Sequence, residues 1–413
     1  MGGWSRRDAL AGLLAAGGHG LLGAAGAGPA APALVRMAFI DPLSGPSADI
    51  GRNSLRSWQY MARQLPGPDA RVRFLVAGFD NKGSPQESIN ALKAAIDQGF
   101  RYVVQGNGSA AAMALSSAIQ RHNARFPDRA VLLINYAAMD PALTAERCSY
   151  WHFRIDADTA MKMRALTRYM AAQPGLERVF LINQDYAHGK QFARYFKQES
   201  LALPWSVQIV GDVLHAPFVL KDFTSHVRRI RDAGAQAVVT GNWGDDLRRL
   251  LMAMQDEALW LPVFAYYPAL AGAPTVLAAS GERLPVYQVS TSHGSRPEEV
   301  ERLARGFRQA YGEDLVIMAA YDGIQMLLHA MAQTGSTDSA VVAARLEGMI
   351  FRGFDGPVAM RAVDHQLQKG VYISRWQKVG GSGAEGTGYA FVPVQHLPAA
   401  ALTSAPGCQM ERP

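Results

Sequence analysis

Val103-Val104-Gln105-Gly106-Asn107-Gly108-Ser109, followed by Ala110-Ala111-Ala112, reads as the end of a buried strand, a glycine turn and the start of a helix. Free N–H groups at a helix N-terminus, together with a hydroxyl facing the same spot, suit an anion. Gly106 and Gly108 allow a ligand to approach the backbone closely. An ordinary tight strand-to-helix turn has the same letters, so the stretch bears on the fold before it bears on function. It is too short for a Walker loop and does not match G-x-G-x-x-G, which argues against a nucleotide site.

Outward from this turn the chain alternates strands and helices. Residues 35–40 form a short apolar strand ending in Asp41-Pro42-Leu43-Ser44-Gly45-Pro46-Ser47, a loop rich in breakers. Helical spacing over 53–65 puts Leu55, Trp58, Met61, Ala62 and Leu65 on one side, with Trp58 in the core. A strand over 72–79, a helix from Pro85 to about 98, the strand into Gly106, a helix from Ser109 to about 123 and a strand over 130–135 complete β-α-β-α-β, the pattern of a parallel sheet covered on both faces. Loops after strand C-termini gather on one edge, where open α/β sheets bind ligands.

A second series follows Cys148. Strands are expected over 151–155, 178–183, 206–214, 237–240 and 262–267, with helices between them, the first capped by Asp158. The strand at 286–291 leads to helices over 297–311, 315–333 and 337–347, which read as a return to the first sheet. Strands at 351–360 and 370–377 read as a return to the second lobe, and 380–388 as a flexible glycine-rich segment.

The 413 residues, 49% hydrophobic and 18% charged, suffice for two domains. A net charge of +6 without a basic block or interleaved aromatics argues against nucleic acid as a partner. Ser5-Arg6-Arg7 precedes an Ala/Gly-rich apolar run, and Ala31-Pro32-Ala33 offers a small-x-small cleavage signal. This looks like a bacterial export signal, with paired arginines resembling the twin-arginine type. In an oxidising compartment Cys148 and Cys408 suggest a disulfide, and two free thiols are the other state open to them. No H-E-x-x-H motif or Cys/His cluster is present, so neither a metal nor a cofactor is expected. His188 lacks a nucleophile-elbow partner, and Asp364-His365-Gln366 reads as a turn.

An export signal, two α/β lobes and several crossings between them resemble the periplasmic solute-binding proteins of ABC transporters, and most closely the leucine/isoleucine/valine-binding type. The resemblance is carried in order by Asp41-Pro42-Leu43-Ser44-Gly45-Pro46-Ser47-Ala48-Asp49-Ile50-Gly51, Phe79-Asp80-Asn81, the opening stretch, residues 135–143, residues 183–189 and Ala319-Ala320-Tyr321-Asp322. It implies a type I periplasmic binding fold: two Rossmann-like α/β lobes with parallel central sheets and a multi-crossing hinge. The expected layout is a signal peptide at 1–33, lobe 1 at 34–152 plus 292–348, lobe 2 at 153–291 plus 349–379, and a C-terminal tail at 380–413 tied back by the disulfide. A small carboxylate is expected in the inter-lobe cleft, gripped by Asn107, Gly108 and Ser109, with backbone contacts from Tyr136, Ala137, Ala138 and Met139. From lobe 2, Tyr186, Asn242 or Trp243, and Tyr266 or Tyr267 would close over it, and Tyr321 would complete the wall. The implied partner is an inner-membrane ABC permease and the implied state a monomeric periplasmic protein, not an enzyme. A ligand sensor is the first alternative and a secreted α/β hydrolase the second.

One departure is informative. Amino-acid-binding members hold the substrate ammonium with an acidic residue of the second lobe, yet Ala265-Tyr266-Tyr267-Pro268-Ala269 contains none. Met139 stands where a hydroxyl is expected. Asp185, Asp245 or Asp246 would have to substitute. Failing them, the ligand is an aromatic or branched acid without an amine.

Overall fold

The computed structural model describes residues 31–67 and 70–413; most of the expected export signal lies outside them. The first sheet has the order β2-β1-β3-β4-β5 and is wholly parallel, from β1 (Ala33–Asp41), β2 (Val72–Asp80), β3 (Tyr102–Gln105), β4 (Leu132–Asn135) and β5 (His152–Arg154). Helices α1 (Ala48–Gln64), α2 (Pro85–Asp97) and α3 (Ser109–Arg125) connect its strands. The continuous apolar runs of β3 and β4 are buried throughout, as strands covered on both faces require.

The second lobe repeats the plan. Helices α4 (Thr159–Ala171), α5 (Ala187–Leu201), α6 (Thr224–Asp232), α7 (Gly244–Asp256) and α8 (Ala273–Ser280) alternate with β6 (Arg178–Gln184), β7 (Gln208–His215), β8 (Ala237–Thr240), β9 (Val263–Ala265) and β10 (Val286–Ser290). These five strands are parallel in the order β7-β6-β8-β9-β10. Asp158 caps α4 through its carboxylate and the Met161 N–H, at 2.8 Å. The sequence reading did not resolve α8, whose apolar, proline-containing run has little amphipathic contrast.

The chain then returns to lobe 1 as α9 (Glu298–Tyr311), α10 (Ala319–Thr334) and α11 (Ser339–Leu346). Next come β11 (Ile350–Gly353), β12 (Gly356–Met360) and β13 (Leu367–Gln368), an antiparallel three-stranded sheet. Two expectations are corrected here. Residues 351–360 are a hairpin rather than one strand, because Gly353 and Gly356 flank a tight reversal. The hairpin also stays with lobe 1: Phe351, Phe354, Met360 and Leu367 belong to its core.

Only then does β14 (Val371–Lys378) enter the second sheet, antiparallel to β10, followed by β15 (Tyr389–Leu397) and α12 (Ala399–Leu402). Residues 389–397, expected as tail, are therefore an edge strand of lobe 2. The segment expected to be flexible is tied down by Glu385, whose carboxylate accepts from the Gly272 and Thr275 N–H groups at 2.5 and 3.0 Å. The Cys148–Cys408 disulfide is present.

Candidate functional site

Both sheets reverse their winding direction at one place, between β1 and β3 in the first and between β6 and β8 in the second. Loops diverge there and leave a crevice. The two crevices face each other across a cavity of about 280 Å³, lined from both lobes and by residues of the crossings.

On the first wall, Gly108 adopts a φ of +99° as the N-cap of α3, which makes Ser109 the first helical residue rather than the cap. The N–H groups of Ser109, Ala110 and Ala111 have no helical acceptor, and all three residues line the cavity. Ser109 Oγ accepts from the Asp140 N–H at 3.3 Å, which leaves its own proton available. Asp41, fully buried at the end of β1, holds this loop. It accepts from the Asn107 N–H at 2.9 Å, from Asn107 Nδ2 at 3.1 Å, from the Gly106 N–H at 3.3 Å and from the Tyr136 hydroxyl. Burial pushes its carboxyl up to about 6, against the pull of these donors. A Cβ on Gly106 would stand 2.5 Å from the Tyr136 ring, so glycine is required there.

The opposite wall is aromatic: Tyr186, Trp243, Tyr266 and Tyr267 all line the cavity. Trp243 Nε1 donates to the Tyr186 hydroxyl at 2.7 Å, joining the loops after β6 and β8. The Tyr266 hydroxyl is buried without a partner among the described residues. His188 lines the cavity with Nε2 3.1 Å from the Gly241 carbonyl; burial lowers its pKa to about 4, so it is neutral at neutral pH.

Sequence reasoning missed the floor. Asp156, Thr291 and Lys369 lie on or beside the three crossings, and all three line the cavity. Asp156 accepts from Thr291 Oγ1 at 2.6 Å and from Lys162 Nζ at 2.7 Å. Lys162 is 3% exposed, 3.1 Å from Met139 Sδ and 5.3 Å from the Tyr266 ring centre. Burial alone would raise the Asp156 carboxyl; Lys162 and the Thr291 hydroxyl outweigh it and hold it below its usual range. Lys369 pairs with Asp322 at 2.5 Å. These residues lie far apart in the chain and outside any motif, so only the crossing topology reveals them.

Of the expected site residues, Asn107, Gly108, Ser109, Tyr136, Ala137, Ala138, Met139, Tyr186, Trp243, Tyr266 and Tyr267 line the cavity. Two do not. Asn242 is buried behind the loop, with Oδ1 3.1 Å from His215 Nε2. Tyr321 sits in the lobe 1 core beside Gln325. Met139 packs into the lobe 2 core, plugging the lobes together. None of the three acids offered as ammonium partners lines the cavity. Asp185 pairs with Lys190 at 2.8 Å, Asp245 with Arg248 and Arg249, and Asp246 accepts from Gln184 Nε2 at 2.7 Å and the Phe218 N–H at 2.8 Å.

The family model described as "Periplasmic binding protein" matches residues 34–384. A Leu/Ile/Val-binding protein homolog 4 of Brucella abortus (strain 2308) is 26% identical over 385 residues, covering 90% of this chain and 91% of that one. In fold, the chain is similar to a leucine-, isoleucine-, valine-, threonine- and alanine-binding protein from Brucella ovis in its closed conformation. That match has a TM-score of 0.79 at 24% identity and covers 93% of this chain and 100% of that one. It is similar also to a solute binding protein of an ABC transporter from Rhodopseudomonas palustris BisB5 in complex with 3,4-dihydroxy benzoic acid. Here the TM-score is 0.75 at 18% identity, covering 89% and 98%.

Proposed function

We infer that this chain, which belongs to the periplasmic binding protein family, is the solute-binding component of an ABC uptake system whose ligand is a small carboxylic acid without an amine. The observation that carries the ligand class is the state of Asp156. It is the one carboxylate among the cavity-lining residues, and its oxygens are occupied by Lys162, Thr291 and the Ala157 N–H. An ammonium placed there would lose its hydration without gaining a free partner and would face the Lys162 cation. An anion meets the opposite environment. The N-termini of α3, α5 and α10 all contribute lining residues, and each presents the positive end of its dipole.

The ligand carboxylate takes the Ser109 end, and Tyr186, Trp243, Tyr266 and Tyr267 cover its body. Aromatic faces suit an aromatic or branched skeleton. Closure of the lobes commits the ligand, and the closed monomer docks on an inner-membrane permease after export and cleavage near Ala33.

A thermal-shift screen of mature protein followed by calorimetry tests the ligand class. Benzoate, 4-hydroxybenzoate and 4-methylpentanoate are expected to stabilise by about 2.7 kcal/mol at a hundredfold excess over the dissociation constant. Leucine, which is 4-methylpentanoate plus an amine, is expected to do nothing at the same concentration. Equal binding of leucine and 4-methylpentanoate would overturn the amine-free assignment.

A further inference from the structure

Beyond the cleft lies a second cavity of about 410 Å³, also walled by both lobes. The two voids abut across Ala269, Gln288, Ser292 and Val316, which line both. Gln288 is 8% exposed, and its amide makes no hydrogen bond among the described residues. A buried amide of this kind is a liability to the fold unless something else meets it. The far chamber repeats the pattern. Arg296 lines it with Nε buried and unpartnered. Among the described residues its nearest paired carboxylate, on Glu301, is 3.8 Å away, and its one close acceptor is the Leu315 carbonyl at 3.1 Å. The neighbouring Arg308 differs in being fully engaged by Asp314, Ser382 and Gly383. The Gln288 amide at the throat and the Arg296 Nε in the chamber beyond are therefore polar groups without a partner among the described residues.

We propose that the ligand is an elongated acid. Its first carboxylate lies at Ser109, a polar group along its length meets the Gln288 amide, and a second carboxylate reaches Arg296 in the far chamber. This rests on the reading of the cleft as an acid-binding site and extends it to the shape and the far end of the ligand. The guanidinium Nε–H is a strong donor to a carboxylate, and the Gln288 amide can both donate and accept.

The test is calorimetry on wild-type protein with straight-chain α,ω-diacids from butanedioate to dodecanedioate, each paired with the monoacid of equal length. Short diacids are expected to show no advantage over their monoacids, whereas long ones bind about tenfold tighter or more. Arg296→Met is expected to bring that ratio close to one, and Gln288→Leu to weaken long hydroxylated or oxo acids relative to plain ones. Long and short diacids behaving alike, or a ratio that survives Arg296→Met, would overturn the far-end assignment while leaving the acid-binding cleft standing. Failure of every acid to bind would overturn both. The wild-type length series decides the matter even if a variant does not fold.

Discussion

Ser109 and Asp41 divide the labour at the α3 turn. Ser109 keeps a free hydroxyl proton because its oxygen only accepts from Asp140. Ser109→Ala is expected to weaken acid binding by roughly 1–3 kcal/mol, the value of a hydrogen bond to a charged group, as read by calorimetry. Unchanged affinity would remove Ser109 from the site. Asp41 shapes the loop without touching the cavity and leaves a signature in pH. Its folded pKa of about 6 against an ordinary 3.8 means that the folded state holds the extra proton between those values. This carboxyl alone makes the protein less stable as pH rises from about 4 to about 6. His152 and His188 act in the opposite sense. Burial, helped by nearby cations, lowers them from 6.5 to about 3 and about 4, so the unfolded chain takes up their protons first and stability falls as pH drops below 6.5. Two histidines with shifts at least as large outweigh one carboxylate, so acidification is expected to destabilise the wild type. Asp41→Asn removes the opposing contribution. The difference in urea midpoint between about pH 7.5 and about pH 4.5 should therefore widen in the variant, and a narrower gap would contradict this account of Asp41.

At the scale of elements, the cavity edge is built from short strand-to-helix turns, and these are the parts most legible in the sequence. Gly106, Gly108 and Ser109 announced the α3 turn because a buried strand, two glycines and a run of alanines have few joint solutions. Trp58 in the core and Asp158 as a helix cap were legible for the same local reasons. What escaped was non-local. The sequence of 351–360 carries strand propensity but does not say which lobe the strand joins, and packing against α10 decides it. Residues 389–397 alternate weakly and follow a glycine-rich run, so only pairing with β14 identifies them as a strand. Lys162 reads as an ordinary polar position of a helix until the crossing at Asp156 is placed beside it. The turn itself can be tested. Gly106→Ala drives a methyl into the Tyr136 ring, and that ring cannot retreat because its hydroxyl is bound to Asp41. The expected cost is roughly 1–3 kcal/mol in urea denaturation together with loss of acid binding. Wild-type affinity in this variant would show that the ring is free to move.

At the scale of the whole molecule, the lobes are joined by several chain crossings, and the proposed hinge closure has to work through them. Three crossings are stitched together at the floor by Asp156, Thr291 and Gln366, whose Nε2 donates to the Asp156 carbonyl at 2.8 Å. The C-terminal segment makes a fourth. It leaves lobe 2 where Arg164 and Arg168 of α4 hold the Leu402 and Ala401 carbonyls. It then passes Arg361, which donates to the Ser404 carbonyl at 3.0 Å, and ends on lobe 1 with Met410 against the core and Arg412 2.9 Å from Glu347. The Cys148–Cys408 bond makes that last anchor covalent, closing a sequence separation of 260 residues. Chain-entropy models allow such a closure roughly 5 kcal/mol at most. Only the five residues 403–407 separate the end of α12 from the bridged Cys408. At about 3.4 Å per extended residue that span limits how far the lobes can part. Cutting the bond has two separable consequences. Stability falls, because the unfolded chain regains its freedom. Opening becomes easier, so the closed form is less populated without ligand and the apparent affinity drops in proportion. In a Cys148→Ser/Cys408→Ser double variant we expect a lower melting temperature, a larger ligand-free radius of gyration by solution scattering, and a severalfold weaker dissociation constant for the same acid. A lower melting temperature with unchanged radius and affinity would mean that the strap staples the fold and has no part in the hinge.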